Sequence, residues 1–264
     1  MISIREKLIK LRDNHGLIGV KGGTEVEAMN FEEINFLKQV SNNIVPLTVK
    51  IGGPEARNDI DYMLSIGTEY ILAPMVESPY GLKNFVTTMQ IIDTKKEAGL
   101  SLNIETITAY KNLEDIFRSE YFEKISSVTV GRSDLSGSIG MSVDDDFVMQ
   151  ITKKIIRLAK YFNKKTSIGG QVDSGNAKYI RDTIHSDSIN TRHMIVSCST
   201  PDITESIIAV LEWESELYET LSEFFPLRRS FYKQRIDSIN SRKSKAEMSQ
   251  IPVLTNEDAK CTCI

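Results

Sequence analysis

What most constrains this chain is a repeated alternation. Short runs of β-branched and aliphatic residues are each followed by a segment whose apolar positions recur every three or four residues. The runs are LIGVKG (17–22), PLTVKI (46–51), YILAPMV (70–76), LSLNI (100–104), SVTV (127–130), TSIGG (166–170) and HMIVSC (193–198). Near-continuous apolar runs of this length predict strands buried on both faces, and the periodic segments between them predict helices. Such alternation gives parallel strands joined by right-handed crossovers, in either an open doubly wound sheet or a closed TIM-type (β/α)8 barrel. The length of 264 residues favours the barrel, which takes about 250.

Seven runs are one fewer than a barrel needs, and a helix from Ile2 to Asn14 precedes the first of them. The missing element is therefore expected to be strand one, with the barrel lacking it or closing on another segment. Ser78-Pro79 and Thr200-Pro201 read as helix N-caps followed by first-turn prolines, and Gly67 and Gly99 as helix stops. After HMIVSC a long helix, Asp202 to Phe225, breaks at Pro226, and a basic amphipathic segment follows. These extra C-terminal helices divide the chain into a barrel domain (1–225), a basic helical arm (226–248) and a flexible tail (249–264). The arm reads as a solvated helix face in preference to a binding patch for an anionic partner, and its position also suits an arm that packs on another subunit of a homo-oligomer.

The net charge of −4 offers no basic excess for nucleic acid, and no stretch approaches the roughly 20 apolar residues of a membrane span. Charges throughout MISIREKLIKLRDNHG argue against a signal peptide, so a cytoplasmic protein is expected. Three cysteines (198, 261 and 263) and three scattered histidines make neither a disulfide framework nor a zinc set. The closing CTCI fits a prenylation pattern only formally and reads as a tail end.

The ends of the runs carry charge. Glu25 and Glu27 follow LIGVKGGT, Lys50 follows PLTV, Glu77 follows APMV and Glu105 follows LSLNI. Arg132 and Asp134 follow SVTV, and Gln171 follows SIGG. In a parallel barrel these carboxyl ends gather on one face, where sites are built. Two carboxylates brought into one low-dielectric mouth need a cation, and Glu105 with Asp134 is the pair expected to hold Mg²⁺ or Mn²⁺, the remaining positions going to water and substrate oxygens. Lys50 and Arg132 are expected to clamp a substrate carboxylate or an enolate oxygen. Gly131 and Ser133, in a glycine- and serine-rich turn, are expected to let backbone amides approach an anionic group, with Gln171 beside them. Plainer roles fit other residues: Glu77 and Asp144 to Asp146 as complements to helix starts, and Cys198 as a small buried apolar residue.

LSLNIETITAYKNLEDI followed by SVTVGRSDLSGSIGM resembles the HpcH/HpaI aldolase and citrate lyase β-subunit family of the phosphoenolpyruvate/pyruvate barrel superfamily. YILAPMVES is similar to the family's preceding strand. The resemblance spans roughly Ile18 to Cys198 and implies that Glu105 and Asp134 are the divalent-metal ligands. It departs in three places, one being the absent strand one. Lys50 stands where the family normally carries an arginine, which keeps the charge and loses the bidentate fork. GGTEVEAMN offers Glu25 and Glu27, without histidine, where the aldolases place a Glu-His pair for proton transfer. The implied activity is that of a metal-dependent carbon–carbon lyase or aldolase acting on a small anionic substrate, a 2-oxo acid or hydroxyacyl (CoA) ester, through a metal-stabilised enolate. Glu25 or Glu27 would be its nearest base. The contrasting expectation is a catalytically degenerate barrel that binds an anionic metabolite or a protein partner.

Overall fold

In the computed structural model, which describes residues 2–95 and 97–245, all seven apolar runs form strands. The arm is therefore described as far as Lys245, and the expected tail, with its CTCI and two cysteines, lies outside the described residues. The strands are β1 (Leu17–Gly23), β2 (Leu47–Lys50), β3 (Tyr70–Ala73), β4 (Gly99–Ile104), β5 (Ile125–Gly131), β6 (Lys165–Gly169), β7 (Ser188–Asn190) and β8 (Met194–Ser197). They close into one barrel in chain order. Its helices are α1 (Ile2–Asn14), α2 (Phe31–Ser41), α3 (Arg57–Ser65), α4 (Pro79–Ile92), α5 (Ile107–Lys111), α6 (Leu113–Arg118), α7 (Arg132–Ile139), α8 (Asp146–Tyr161), α9 (Ala177–Ile184), α10 (Ile203–Phe224) and α11 (Arg229–Lys243). None of the described helices is long and apolar enough to cross a membrane.

β1 to β7 pair in parallel, whereas β8 runs antiparallel to both β7 and β1. The eighth place in the wall is thus filled by a reversed strand, β8, which is the expected run HMIVSC, and the element missing from the sequence reading is not strand one. The strand absent from the sequence reading is β7, whose Ser-Ile-Asn holds a single apolar residue. Only Thr191, Arg192 and His193 separate it from β8. A parallel crossover needs about a dozen residues or more, so three can make only a hairpin.

That hairpin is held from outside. The buried Glu214 of α10 accepts from Thr191 Oγ1 at 2.5 Å and from the His193 amide at 2.6 Å. His193, fully buried, contacts the Lys21 carbonyl at 2.9 Å and the Tyr218 hydroxyl at 2.7 Å. Trp213 Nε1 donates to the Ile4 carbonyl at 2.9 Å and ties α10 to α1, the helix that precedes the barrel.

Local signals are followed in part. Ser78 caps α4 by accepting from the Gly81 amide at 3.1 Å, and Gly67 lies just past α3. Thr200-Pro201 does not cap α10: Asp202 does, accepting from the Glu205 amide at 3.0 Å, because its carboxylate stands three residues before an unpaired helix amide. Gly99 opens β4 instead of closing a helix, since α4 has already ended at Ile92. The supposed turn after β5 is also helical: α7 starts at Arg132, directly at the strand's end.

Glu214→Ala should leave two buried donors unpaired and lower stability by about 1–3 kcal/mol, with Glu214→Gln, which keeps one acceptor oxygen, losing less. Urea unfolding of the three proteins checks this.

Candidate active site

Because β1 to β7 are parallel, their carboxyl ends share one face, where they surround a cavity of about 330 Å³. Lys50, Glu105, Gly131, Ser133, Asp134, Gln171 and Glu27 all line it. Residues distant in sequence therefore meet, as the strand-end charges predicted.

Lys50, the last residue of β2, is buried with its ammonium 2.6 Å from Glu25 Oε2 and 3.1 Å from Glu105 Oε2. Burial alone would lower its pKa, but Glu105 and Glu25 outweigh burial and hold the amine protonated. Glu105, one residue past β4 and 1% exposed, accepts from the Met75 amide at 3.0 Å, from Asn103 Nδ2 and from Lys50. Burial raises its pKa, Lys50 and the Met75 amide oppose that rise, and the charge of Asp134 adds to it.

Backbone detail supports this arrangement. Met75 reaches Glu105 from a left-handed conformation (φ 53°), and Ala28 (φ 54°) and Gln171 (φ 49°) adopt the same region at neighbouring strand ends. Non-glycine residues held there store strain, which clusters at functional sites. A Cβ on Gly131 would stand 2.8 Å from Glu105 Oε2, so only glycine leaves room for the carboxylate. Gly170 (φ 92°) presses against the first amides of α7, with a Cβ position 2.5 Å from the Ser133 nitrogen.

Asp134 lies in the first turn of α7, exposed to the cavity that Glu105 lines from below. Two carboxylate groups with space between them suit a hard cation that takes its other ligands from water and substrate. Among the described residues no group of three or more His, Cys, Asp and Glu side chains forms a fuller metal cage.

Arg132 is placed differently from expectation. Its side chain is 0% exposed and does not line the cavity. It leaves α7 on the far side, donating to Asp144 Oδ1 at 3.1 Å and to the Gly170 carbonyl at 2.7 Å. Arg132 therefore fixes the Gly170 loop against α7 and makes no direct contact with the cavity's contents. Asp144 is taken up by this pair, while Asp145 caps α8 through the Phe147 amide at 2.9 Å. Glu77 accepts from Thr106 Oγ1, the cap of α5, and Cys198 is half-buried outside the cavity.

Glu25 touches the site through Lys50 and is partly exposed. Glu27 is buried against Lys21, Nζ to Oε1 2.9 Å. Burial pushes its pKa up, yet Lys21, with Lys50 behind it, holds it at about 2.

Several lining residues were not read from the sequence: Lys21, Asn103, Thr129, Asn190, Thr191 and Arg192, with Ser238 and Arg242 of α11. A signal existed for Asn103, which lies two residues before Glu105 in an apolar strand and so shares its face, and for its register partner Thr129. α11 gave none.

The depressed pKa of Glu27 makes an acid-range prediction. Its contribution to stability should be complete above its ordinary value of 4.5 and fade as pH falls toward about 2. The gap in melting temperature between the protein and Glu27→Gln should therefore be constant near neutrality and narrow below about pH 4.5, as thermal scans across pH 3–7 would show.

Comparison with known proteins bears on the fold and the family. No curated protein matches the sequence. Among solved structures, an HpcH/HpaI aldolase from Desulfitobacterium hafniense DCB-2 superposes with a TM-score of 0.59 at 18% identity, over 84% of this chain and 90% of that one. A HpcH/HpaI aldolase/citrate lyase family protein from Burkholderia cenocepacia J2315 gives 0.55 at 13% identity, over 72% and 92%. Citrate synthase SbnG gives 0.52 at 16%, over 68% and 87%. At these identities the likeness concerns the fold. The model of the HpcH/HpaI aldolase/citrate lyase family matches residues 31–168, just over half of the chain, from α2 through β6. The chain belongs to that family.

Proposed function

We propose that this protein is a divalent-metal-dependent carbon–carbon lyase or aldolase that acts on a 2-oxo acid or a hydroxyacyl (CoA) ester through an enolate. Family membership supports the lyase or aldolase class. The finer reading is carried by one observation: Glu105, Asp134 and the protonated Lys50 share a single cavity at the carboxyl ends of the strands. Glu105 and Asp134 would hold Mg²⁺ or Mn²⁺, which supplies Lewis-acid stabilisation to a developing enolate oxygen.

The protein's own groups would act around it. Lys50 is a fixed cation paired with Glu105. Its second partner, Glu25, lets it turn from Glu105 without losing its counter-charge, so Glu105 can serve a cation while Lys50 faces the substrate. Gly131 and Ser133 bring backbone close to bound anions, and Gln171 adds a polar group across the mouth. Arg132 contributes by positioning α7, hence Asp134. Glu25 is the carboxylate best placed to move a proton, being partly exposed beside Lys50, whereas Glu27 is committed to Lys21. A second reading, a barrel that binds an anionic metabolite without turnover, draws on the Lys50–Glu105 ion pair, which already neutralises the buried carboxylate.

Asp134→Asn should abolish Mg²⁺ or Mn²⁺ binding and activity while leaving the melting temperature nearly unchanged. Lys50→Met should keep the metal and lower kcat by about two orders of magnitude or more. Metal titration, with assay of pyruvate or oxaloacetate release from a panel of hydroxy-oxo acids and hydroxyacyl-CoA esters, measures both. An Asp134→Asn protein that stayed active and metal-replete would refute the metal assignment, and ligand binding without turnover across the panel would favour the second reading.

A further inference from the structure

The chain has two basic regions, and internal contacts occupy only one of them. The arm, expected to be solvated or to pack on another subunit, lies across the open end of its own barrel. There Arg228, Arg235 and Arg242 donate to the carbonyls of Ala28, Val26 and Val172 at 2.6, 2.9 and 3.0 Å. The second region runs from Phe147 to Val172 and holds six lysines and arginines with no acidic residue, in a chain whose net charge is −4. It covers α8, the turn after it and β6. Because β6 ends at the cavity face, its first residue, Lys165, and the last turn of α8 lie at the base of the barrel, opposite the candidate active site.

At that base Lys160, Lys164 and Lys165 meet Arg181 of α9 in a groove of about 900 Å³. Groove and cavity share no lining residue. Two of the four cations have internal explanations. Lys160 Nζ lies 2.9 Å from Asp187 Oδ1 and Arg181 Nε 2.7 Å from Asp182 Oδ1, and each stands in the last turn of its helix, where positive charge complements the dipole. Lys164 and Lys165 have neither explanation. Both follow the end of α8, and among the described residues neither has a carboxylate within ion-pairing distance. Lys164 is held instead over the Phe122 ring, 5.1 Å from its centroid, with Nζ donating to the Glu123 carbonyl at 3.2 Å. Burial lowers its pKa, against the opposing charge of Glu123. A lysine fixed by a ring and a neutral carbonyl carries a charge that is aimed without being neutralised. Asp182 and Asp187 are the acids that line the groove, so its balance is positive.

An excess of positive charge in a concave site draws an anion from outside. Ammonium groups are compact point charges that suit the many oxygens of linked phosphates, and the hydroxyls of Ser186 and Ser199 add neutral donors in the same groove. Ile18, 47% exposed, and Cys198 line it as well and offer apolar contact to an organic group. We propose that this basal groove binds an organic polyphosphate, of the nucleoside di- or triphosphate class. Its volume falls in the range of small-molecule sites, about 300–1,000 Å³, and its concave form favours a compact ligand over a flat membrane or a long nucleic-acid strand.

Calorimetric titration of the full chain with ATP, ADP, AMP and inorganic phosphate tests this, in EDTA so that no divalent ion bridges a nucleotide to the carboxylates of the cavity. ATP and ADP should bind about tenfold or more tightly than AMP and phosphate. Lys164→Gln with Lys165→Gln should cost ATP about tenfold or more in affinity at an unchanged melting temperature, and the corresponding pair of arginine substitutions, which keeps the charge, should restore most of it. Since Lys164 also packs on Phe122, Lys165→Gln alone, at an exposed strand start, should weaken ATP several-fold without touching that contact. Lys50→Met and Arg242→Gln, at the other end of the barrel, should leave ATP affinity as it was. The site is overturned if ATP binds no more tightly than phosphate, if the glutamine variants bind normally, or if the cavity variants remove binding. A thymidine oligonucleotide or a phosphatidylserine vesicle that binds more tightly than ATP through the same lysines also overturns it and gives the face to an extended polyanion.

Discussion

The structure of the mouth depends on one ammonium group held between two carboxylates. Lys50 emerges from the end of a buried strand into a region of low dielectric, where an unpaired cation or carboxylate would be strongly disfavoured. Glu105 and Glu25 flank it, and each acid is tolerated there partly because of the lysine. The arrangement ties β1, β2 and β4 together through charge at the point where the sheet's own hydrogen bonds run out. It also leaves a mobile choice of partner at the centre of an otherwise rigid wall.

Around this trio the backbone is shaped by close approach. Gly131 gives the Glu105 carboxylate its space, and Met75 accepts an uncommon conformation to direct its amide at the same group. Arg132, buried behind α7, sets the loop that faces them. The site is thus supported from outside the cavity as well as lined from within, which is how side chains are kept within a fraction of an ångström of a working geometry.

Much of this could be read from residues alone, for a definite reason. A strand buried on both faces must be apolar along its length, so a charge at its end is conspicuous. Parallel pairing then sends every such end to one face, which placed Lys50, Glu105 and Asp134 together without any contact being known. What sequence could not give was direction about the chain axis. Gly131 to Asp134 pass from strand to helix, and the change in period turns Arg132 outward and Asp134 inward. Nor could composition reveal β7, whose three residues hold one apolar side chain, or the docking of α11, since a polar helix with basic residues looks alike whether it faces water or covers a mouth.

The reversed final strand has a consequence for where the polypeptide ends. In a barrel made only of repeating strand-and-helix units, every helix descends from the face where its strand emerged, and the last one finishes at the base. A hairpin shifts that rhythm by half a step: β8 travels down, reaching the base beside Gly16, and α10 must climb. Its 22 residues, about 33 Å of helix, span the height of the barrel and release the chain at the top. Parity therefore hands the last described helix to the rim of the cavity, at the end opposite to the one where a unit repeated without reversal would have finished.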